Sequence, residues 1–246
     1  MYFCAGRATS ECEFQMYYPP FPLIDIEMQK LVAYEQLVSE RIICRRCVGL
    51  TNPSNVDDGR FDLTEIGPWS KWQSNLNASL MVVGQDWRDV RYFTKHAGAD
   101  VPGNPTNMAL RELIGLLGIN VSEPGCVNPS NVAFFTNAVL CLKGGGLQAD
   151  VENDWFANCG SFLRQQVEIV APRVLVCLGE KAYRGIAKEF AFAPGSFRKA
   201  VDSPIGVRLP NGTIAFARYH CGKRIQNTHR TLDKQREDWR RLAQFL

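Results

Sequence analysis

Apolar residues recur along this chain at two spacings, and their alternation predicts a sheet flanked by helices. From Glu27 to Ile43 the positions Leu31, Val32, Tyr34, Leu37, Val38 and Ile42 follow a helical period. Short apolar runs then read as strands at Ser79–Gly84, Asn131–Thr136 and Arg173–Leu178. Helical patterns stand between or after them at Met108–Leu117, Val151–Val170 and Glu180–Phe190. Val207–Leu209 and Thr213–Ala217 flank Pro210-Asn211-Gly212, a hairpin-turn signal, and a last helix is predicted from Thr231 to Phe245. Strands alternating with helices argue for an α/β fold: a three-layer sandwich with a mostly parallel central sheet and helices on both faces. Two stretches lack a period. Residues 1–28, with Tyr17-Tyr18-Pro19-Pro20-Phe21-Pro22, read as an N-terminal arm ahead of one domain spanning 29–246. Residues 48–78, rich in Asn, Asp, Ser, Gly and Pro, read as a long surface connection of the kind that tends to be functional or mobile.

Composition narrows the class without naming a function. A chain of 246 residues, 46% hydrophobic and 22% charged, is long enough to bury a substantial core and is ordinary for a globular protein. No apolar stretch reaches the length of a membrane span. Met1 to Arg7 lacks the order of a secretory signal, so a cytoplasmic protein is expected. The formal charge of +3 says little, but its distribution says more. From Arg218 the basic residues Lys223, Arg224, Arg230, Lys234, Arg236, Arg240 and Arg241 outnumber the acidic ones. That surplus reads either as a footprint for a polyanion or as the solvated face of a terminal helix.

Nine cysteines are too sparse for a small disulfide scaffold, and an odd count fits a reducing compartment. Cys177 lies inside an apolar run and reads as buried, whereas Cys4, Cys12 and Cys126 have no partner at metal-like spacing. Cys44 and Cys47 close a helical pattern, and Cys141 and Cys159 bracket a loop. Four thiolates are soft ligands that enclose either a tetrahedral zinc or an iron–sulfur cluster.

In a parallel sheet the ligand sits at the carboxyl ends of the strands. The polar segments there are Gln85-Asp86-Trp87, Asn137, Gly179-Glu180 and Tyr219-His220-Cys221-Gly222. Asp86 follows a strand and a glycine. It can orient water or stabilise positive charge, or it can serve as a turn aspartate. Asn137 carries the donors and acceptor that match an imide-like base edge, or it forms a turn. His220 can donate to a leaving group, or it is a satisfied histidine beside the hairpin. Their convergence on one end of the sheet is what points to a site.

Together these segments resemble the uracil-DNA glycosylase superfamily, with the framework of its iron–sulfur branch (family 4). Gly84-Gln85-Asp86 is similar to the start of the family 1 motif Gly-Gln-Asp-Pro-Tyr, Thr136-Asn137-Ala138-Val139 to the uracil-reading strand end, and Tyr219-His220 to the start of the His-Pro-Ser motif. The four-cysteine spacing and the run from Val167 to Val174 are similar to the iron–sulfur branch. The resemblance implies a hydrolase that removes uracil from DNA after the base is flipped out of the stack. It assigns Asp86 and His220 to catalysis and Asn137 to the base edge. Gly84, Gln85, Trp87, Tyr92 and Phe93 become the rest of the base pocket, Lys223, Arg224 and Arg230 the DNA contacts, and Cys44, Cys47, Cys141 and Cys159 the ligands of a structural 4Fe-4S cluster.

The motifs also depart from the family. Trp87-Arg88 stands in place of Pro-Tyr, whose tyrosine would block the thymine methyl, and Cys221-Gly222 in place of Pro-Ser. The uracil-stacking phenylalanine has no counterpart at Gly103-Asn104-Pro105-Thr106, which leaves Tyr92, Phe93 or Trp87; Lys223, Arg224 or Ile225 would serve as the wedge. Three rival readings follow. One is a glycosylase for xanthine, hypoxanthine or 5-hydroxymethyluracil, another is a catalytically inactive metal-stapled DNA-binding protein, and the third keeps the fold but binds zinc.

Overall fold

The computed structural model describes residues 22–62, 64–127, 129–146 and 149–246, the side chains from residue 25. The expected arm falls mostly on residues 1–21, and Cys4 and Cys12 with it, outside the described residues. Helix α1 (Pro22–Ile42) begins earlier than its apolar period. Its buried face is Tyr34, Leu37, Val38 and Arg41, while Leu31 and Val32 are exposed. The chain continues through β1 (Leu50–Thr51) and two short 3₁₀ turns to β2 (Leu80–Asp86). Next come α2 (Val90–Lys95), α3 (Pro105–Gly115), β3 (Phe134–Val139) and β4 (Leu142–Lys143). Then follow α4 (Asn153–Val170), β5 (Val174–Leu178), α5 (Glu180–Glu189) and α6 (Phe197–Asp202). The hairpin β6 (Val207–Arg208) and β7 (Ile214–Arg218) precedes α7 (Lys223–Thr228) and α8 (Leu232–Arg240). Among the described residues no helix is long and apolar enough to cross a membrane.

The central sheet has the order β3-β2-β5-β7-β6. The first four strands run parallel and β6 is antiparallel at the edge. Strands of this kind are buried on both faces, which is why they read as continuous apolar runs. Side chains alternate between two cores. Met81, Val83, Phe134, Leu175 and Cys177 pack with α1, α4 and α5, whereas Leu80, Val82, Phe135, Val176 and Phe216 pack with α3 and α8. Burying each such side chain contributes about 1.5–3 kcal/mol.

The 48–78 connection is not a surface loop. Trp69 and Trp72 are buried against Phe135, each with ring centroids 5.0 Å away. Buried Asp62 pairs with buried Arg41, and Asn52 donates to the Arg41 carbonyl at 2.8 Å. Gln73 accepts from the amides of Val132 and Ala133. The polar residues that suggested solvent exposure instead satisfy buried backbone and one another. The expected terminal helix is also divided, into α7, α8 and a final 3₁₀ turn.

Candidate active site

Four strand ends open into one cavity of about 580 Å³. Its wall includes Gly84, Gln85, Asp86 and Trp87 from the end of β2 and the loop beyond, and Asn137 from β3. Leu178 and Gly179 end β5, His220 follows β7, and Lys223, Arg224 and Ile225 start α7 at the mouth.

Gly84 and Asn137 are register partners on adjacent strands. A Cβ at position 84 would lie 2.5 Å from Asn137 Nδ2 and 3.2 Å from a ring carbon of Trp69. Glycine is therefore required here by close approach rather than by backbone angle: its bare face is the seat of the amide. Asn137 is 6% exposed, and its amide meets the cavity within the sheet rather than on a flexible turn.

Asp86 ends β2, its side chain 10% exposed. Gln85 Nε2 donates to Asp86 Oδ1 at 2.6 Å, and Lys143 Nζ lies 3.0 Å from Asp86 Oδ2. The carboxylate is thus held from both sides, and each oxygen keeps a further lone pair for water or substrate. Lys143, its side chain only 5% exposed, also donates to the Ala149 carbonyl. It belongs to β4, which pairs antiparallel with β1.

His220 is crowded by protein, yet part of its ring opens to the cavity. Desolvation lowers its pKa; the Asp86 charge opposes that shift and Arg88 adds to it. The Gly222 amide donates to Nδ1 at 3.0 Å. That bond leaves the proton of the neutral imidazole on Nε2, so the ring is preset as a hydrogen-bond donor.

The predicted residues divide clearly. Asp86, His220, Gly84, Gln85, Trp87, Asn137, Lys223 and Arg224 share the cavity lining. Phe93 is fully buried behind Trp87, with ring centroids 5.9 Å apart, and Tyr92 packs beneath the Arg88 guanidinium at 4.1 Å; both stand outside that lining. Arg230 bonds Asp202 at 3.0 Å and Asp238 at 2.6 Å, also away from the cavity. Arg236 and Arg241 pair with carboxylates as well, and Arg218 is buried on backbone carbonyls, so much of the C-terminal surplus is internal. Sequence reasoning missed Trp69, Lys143, Asp100 and Asn107, all of which line the cavity. Only Lys143 carried a signal, its place two residues after Cys141.

Cys44, Cys47, Cys141 and Cys159 line a second cavity of about 80 Å³ with Arg45, Arg46, Asn52, Asn55 and Asn158. A hydrogen bond from Cys159 brings the Cys47 thiol down to about 6, helped by Asn158 Nδ2 at 3.6 Å. The same bond pushes Cys159 up, and burial pushes Cys141 up to about 12. Among the described residues, no three His, Cys, Asp or Glu side chains are arranged around a single ion. Four soft donors around a void, flanked by two guanidinium groups, fit a thiolate-bound cluster.

A parallel α/β sheet with a carboxylate, an amide and a neutral imidazole facing one base-sized cavity defines a hydrolase of nucleobase compounds. Comparison with known proteins makes the class specific. Residues 72–243 match the uracil DNA glycosylase superfamily. The chain is also 28% identical, over 85% of its length and 92% of the relative's, to a type-5 uracil-DNA glycosylase of Pyrobaculum aerophilum. The chain belongs to the uracil DNA glycosylase superfamily and is a uracil-DNA glycosylase-like hydrolase acting on DNA.

Proposed function

We propose that this protein hydrolyses the N-glycosidic bond of uracil in DNA and so starts base excision repair. The observation that carries this reading is the convergence of Asp86, Asn137 and His220 on one cavity. Leaving the stack costs an extruded base a few kcal/mol in a duplex and less in a single strand. Lys223 and Arg224, on α7 at the mouth, face the phosphates beside it. The Asn137 amide, seated on Gly84, pairs with the N3–H and O4 edge of uracil; cytosine exchanges that donor and acceptor and is refused. Trp87 and Trp69 supply the apolar walls.

As the bond lengthens, the sugar becomes an oxocarbenium-like cation and the base an anion. Asp86 stabilises the cation and orients the attacking water through the lone pairs left free by Gln85 and Lys143. His220 donates from Nε2 to the uracil anion, and because the ring is already neutral the hydrogen bond needs no prior deprotonation. Preorganised donors of this kind supply a large share of catalysis. Cys44, Cys47, Cys141 and Cys159 would hold an iron–sulfur cluster. When bound, it supplies a rigid cross-link between the end of α1 and the β4 loop.

Incubation of the protein with a uracil-containing single-stranded oligonucleotide, followed by alkaline cleavage, tests the reading. Strand breaks at uracil are expected, and Asp86→Asn should abolish them while DNA binding survives. Near-normal release by that variant would overturn the assignment. Salt-sensitive DNA binding without abasic product in the parent protein would instead support the inactive DNA-binding alternative.

A further inference from the structure

The cavity has a second polar wall that the excision chemistry above leaves unused. It comes from the segment leading from α2 into α3. Asp100 and Asn107 both line the cavity with side chains almost fully buried, 6% and 5% exposed. Asp100 Oδ2 accepts from Trp87 Nε1 at 3.3 Å, and Arg88 Nε lies 3.9 Å from Oδ1. Asp100 Oδ1, Asn107 Nδ2 and the neighbouring Tyr92 hydroxyl are buried without a well-formed hydrogen bond. They are nonetheless close: burial raises the Asp100 pKa, while Arg88, Asn107, Trp87 and Tyr92 pull it back. Buried polar atoms are almost always satisfied by protein, water or ligand. Three such atoms in one cluster, two of them on residues lining a cavity, mark a place where a bound group completes the hydrogen bonding.

We propose that Asp100 and Asn107 are specificity-determining residues that bind a second hydrogen-bonding group of the extruded base, a donor adjoining an acceptor. The inference rests on the base-excision reading of the same cavity. Asp100 Oδ1 takes the donor and Asn107 Nδ2 gives to the acceptor. Two sources share that chemistry: a hydroxyl on a pyrimidine substituent, and the N–H/C=O edge of an oxopurine. Position matters as well as chemistry. Trp87 and Arg88, which replace the residues that would close this side of the pocket, are the ones that bind Asp100. The site that would shut out a larger base has become a polar recess.

The test compares excision by the intact protein from oligonucleotides carrying uracil, thymine, 5-hydroxymethyluracil or hypoxanthine. The parent should release at least one of the two polar-substituted bases and should disfavour thymine, whose methyl offers no donor. In Asp100→Asn, kcat/KM for that base relative to uracil should fall about 10-fold or more, the loss expected when a buried polar group loses its partner. Asn107→Ser should lower the same ratio, and it serves should Asp100→Asn not fold, as read by thermal melting. A ratio unchanged in the folded variant overturns the proposal. So does a parent that releases uracil but neither polar base, or that releases thymine as readily as 5-hydroxymethyluracil. A parent that releases no base at all overturns the excision reading and this proposal together. Loss of 5-hydroxymethyluracil release alone identifies the hydroxyl as the ligand, and loss of hypoxanthine release alone identifies the amide edge.

Discussion

Gly84→Ala adds one methyl group where the structure has no room for it. The new Cβ would stand 2.5 Å from Asn137 Nδ2, about 0.9 Å short of ordinary contact at 3.4 Å. The backbone of β2 cannot give, because it is bonded to β3 on one side and β5 on the other. The amide must therefore move by on the order of 1 Å, and a displacement of that size in a positioning group costs about 100-fold in rate, or ~2.7 kcal/mol of transition-state stabilisation. Overpacking of the strand should cost a further 1–3 kcal/mol of stability, roughly. Single-turnover release of uracil from a single-stranded oligonucleotide measures the first effect, and urea denaturation the second. A double-mutant cycle isolates the cause. In an Asn137→Ala background only the Trp69 contact at 3.2 Å remains, so the stability cost of Gly84→Ala should shrink by about 1 kcal/mol or more. Release within about threefold of the parent, or strictly additive stability losses, would refute the reasoning.

Other expectations follow from buried charge, titration and the thiols. Asp62→Ala leaves Arg41 buried and uncompensated beneath the 48–78 segment, although Asn52 and the Glu65 carbonyl still accept from it. Urea denaturation should show a loss of about 3–5 kcal/mol, and a loss under about 1 kcal/mol would show that the pair is not holding that segment. Burial keeps the folded pKa of His220 below its unfolded value of about 6.5. The unfolded chain therefore takes up the proton first, and stability present above that pH is lost as pH falls toward the folded pKa. The melting temperature of the parent relative to His220→Gln should thus drop on acidification below about pH 6.5; a pH-independent difference would contradict this. Elemental analysis of the purified protein should find iron, with a broad visible absorption band, and Cys44→Ser or Cys141→Ser should lower metal content and melting temperature together. Stoichiometric zinc in a colourless protein would move the site to the zinc alternative, and full metal content in the serine variants would remove these cysteines from it.

Which parts were legible in the sequence depended on whether the neighbours of a residue lay along the chain or across it. The sheet was readable because parallel strands carry their burial in their own apolar runs. The boundary of β3 was not. Asn131 to Ala133 look like strand, but Gln73 takes the amides of Val132 and Ala133 and Asn75 bonds the Ala133 carbonyl. Pairing with β2 starts only at Phe134, which places Asn137 inside the strand instead of at its end. The same lateral use of polar side chains hid the burial of residues 48–78. Asp86, Asn137 and His220 could be found because strand ends converge whatever the details. Lys143 could not, since its meeting with Asp86 depends on the β1–β4 ribbon, two residues on each side. That ribbon has a consequence for the cysteines. β1 follows Cys47 by three residues, β4 follows Cys141 immediately, and Lys143 is the residue that reaches the carboxylate. A cross-link among the four thiols fixes both strands of the ribbon at their root, and so fixes the ammonium beside Asp86. Disturbing the thiol site should therefore act on catalysis through the Lys143–Asp86 distance, even though no cysteine lines the larger cavity.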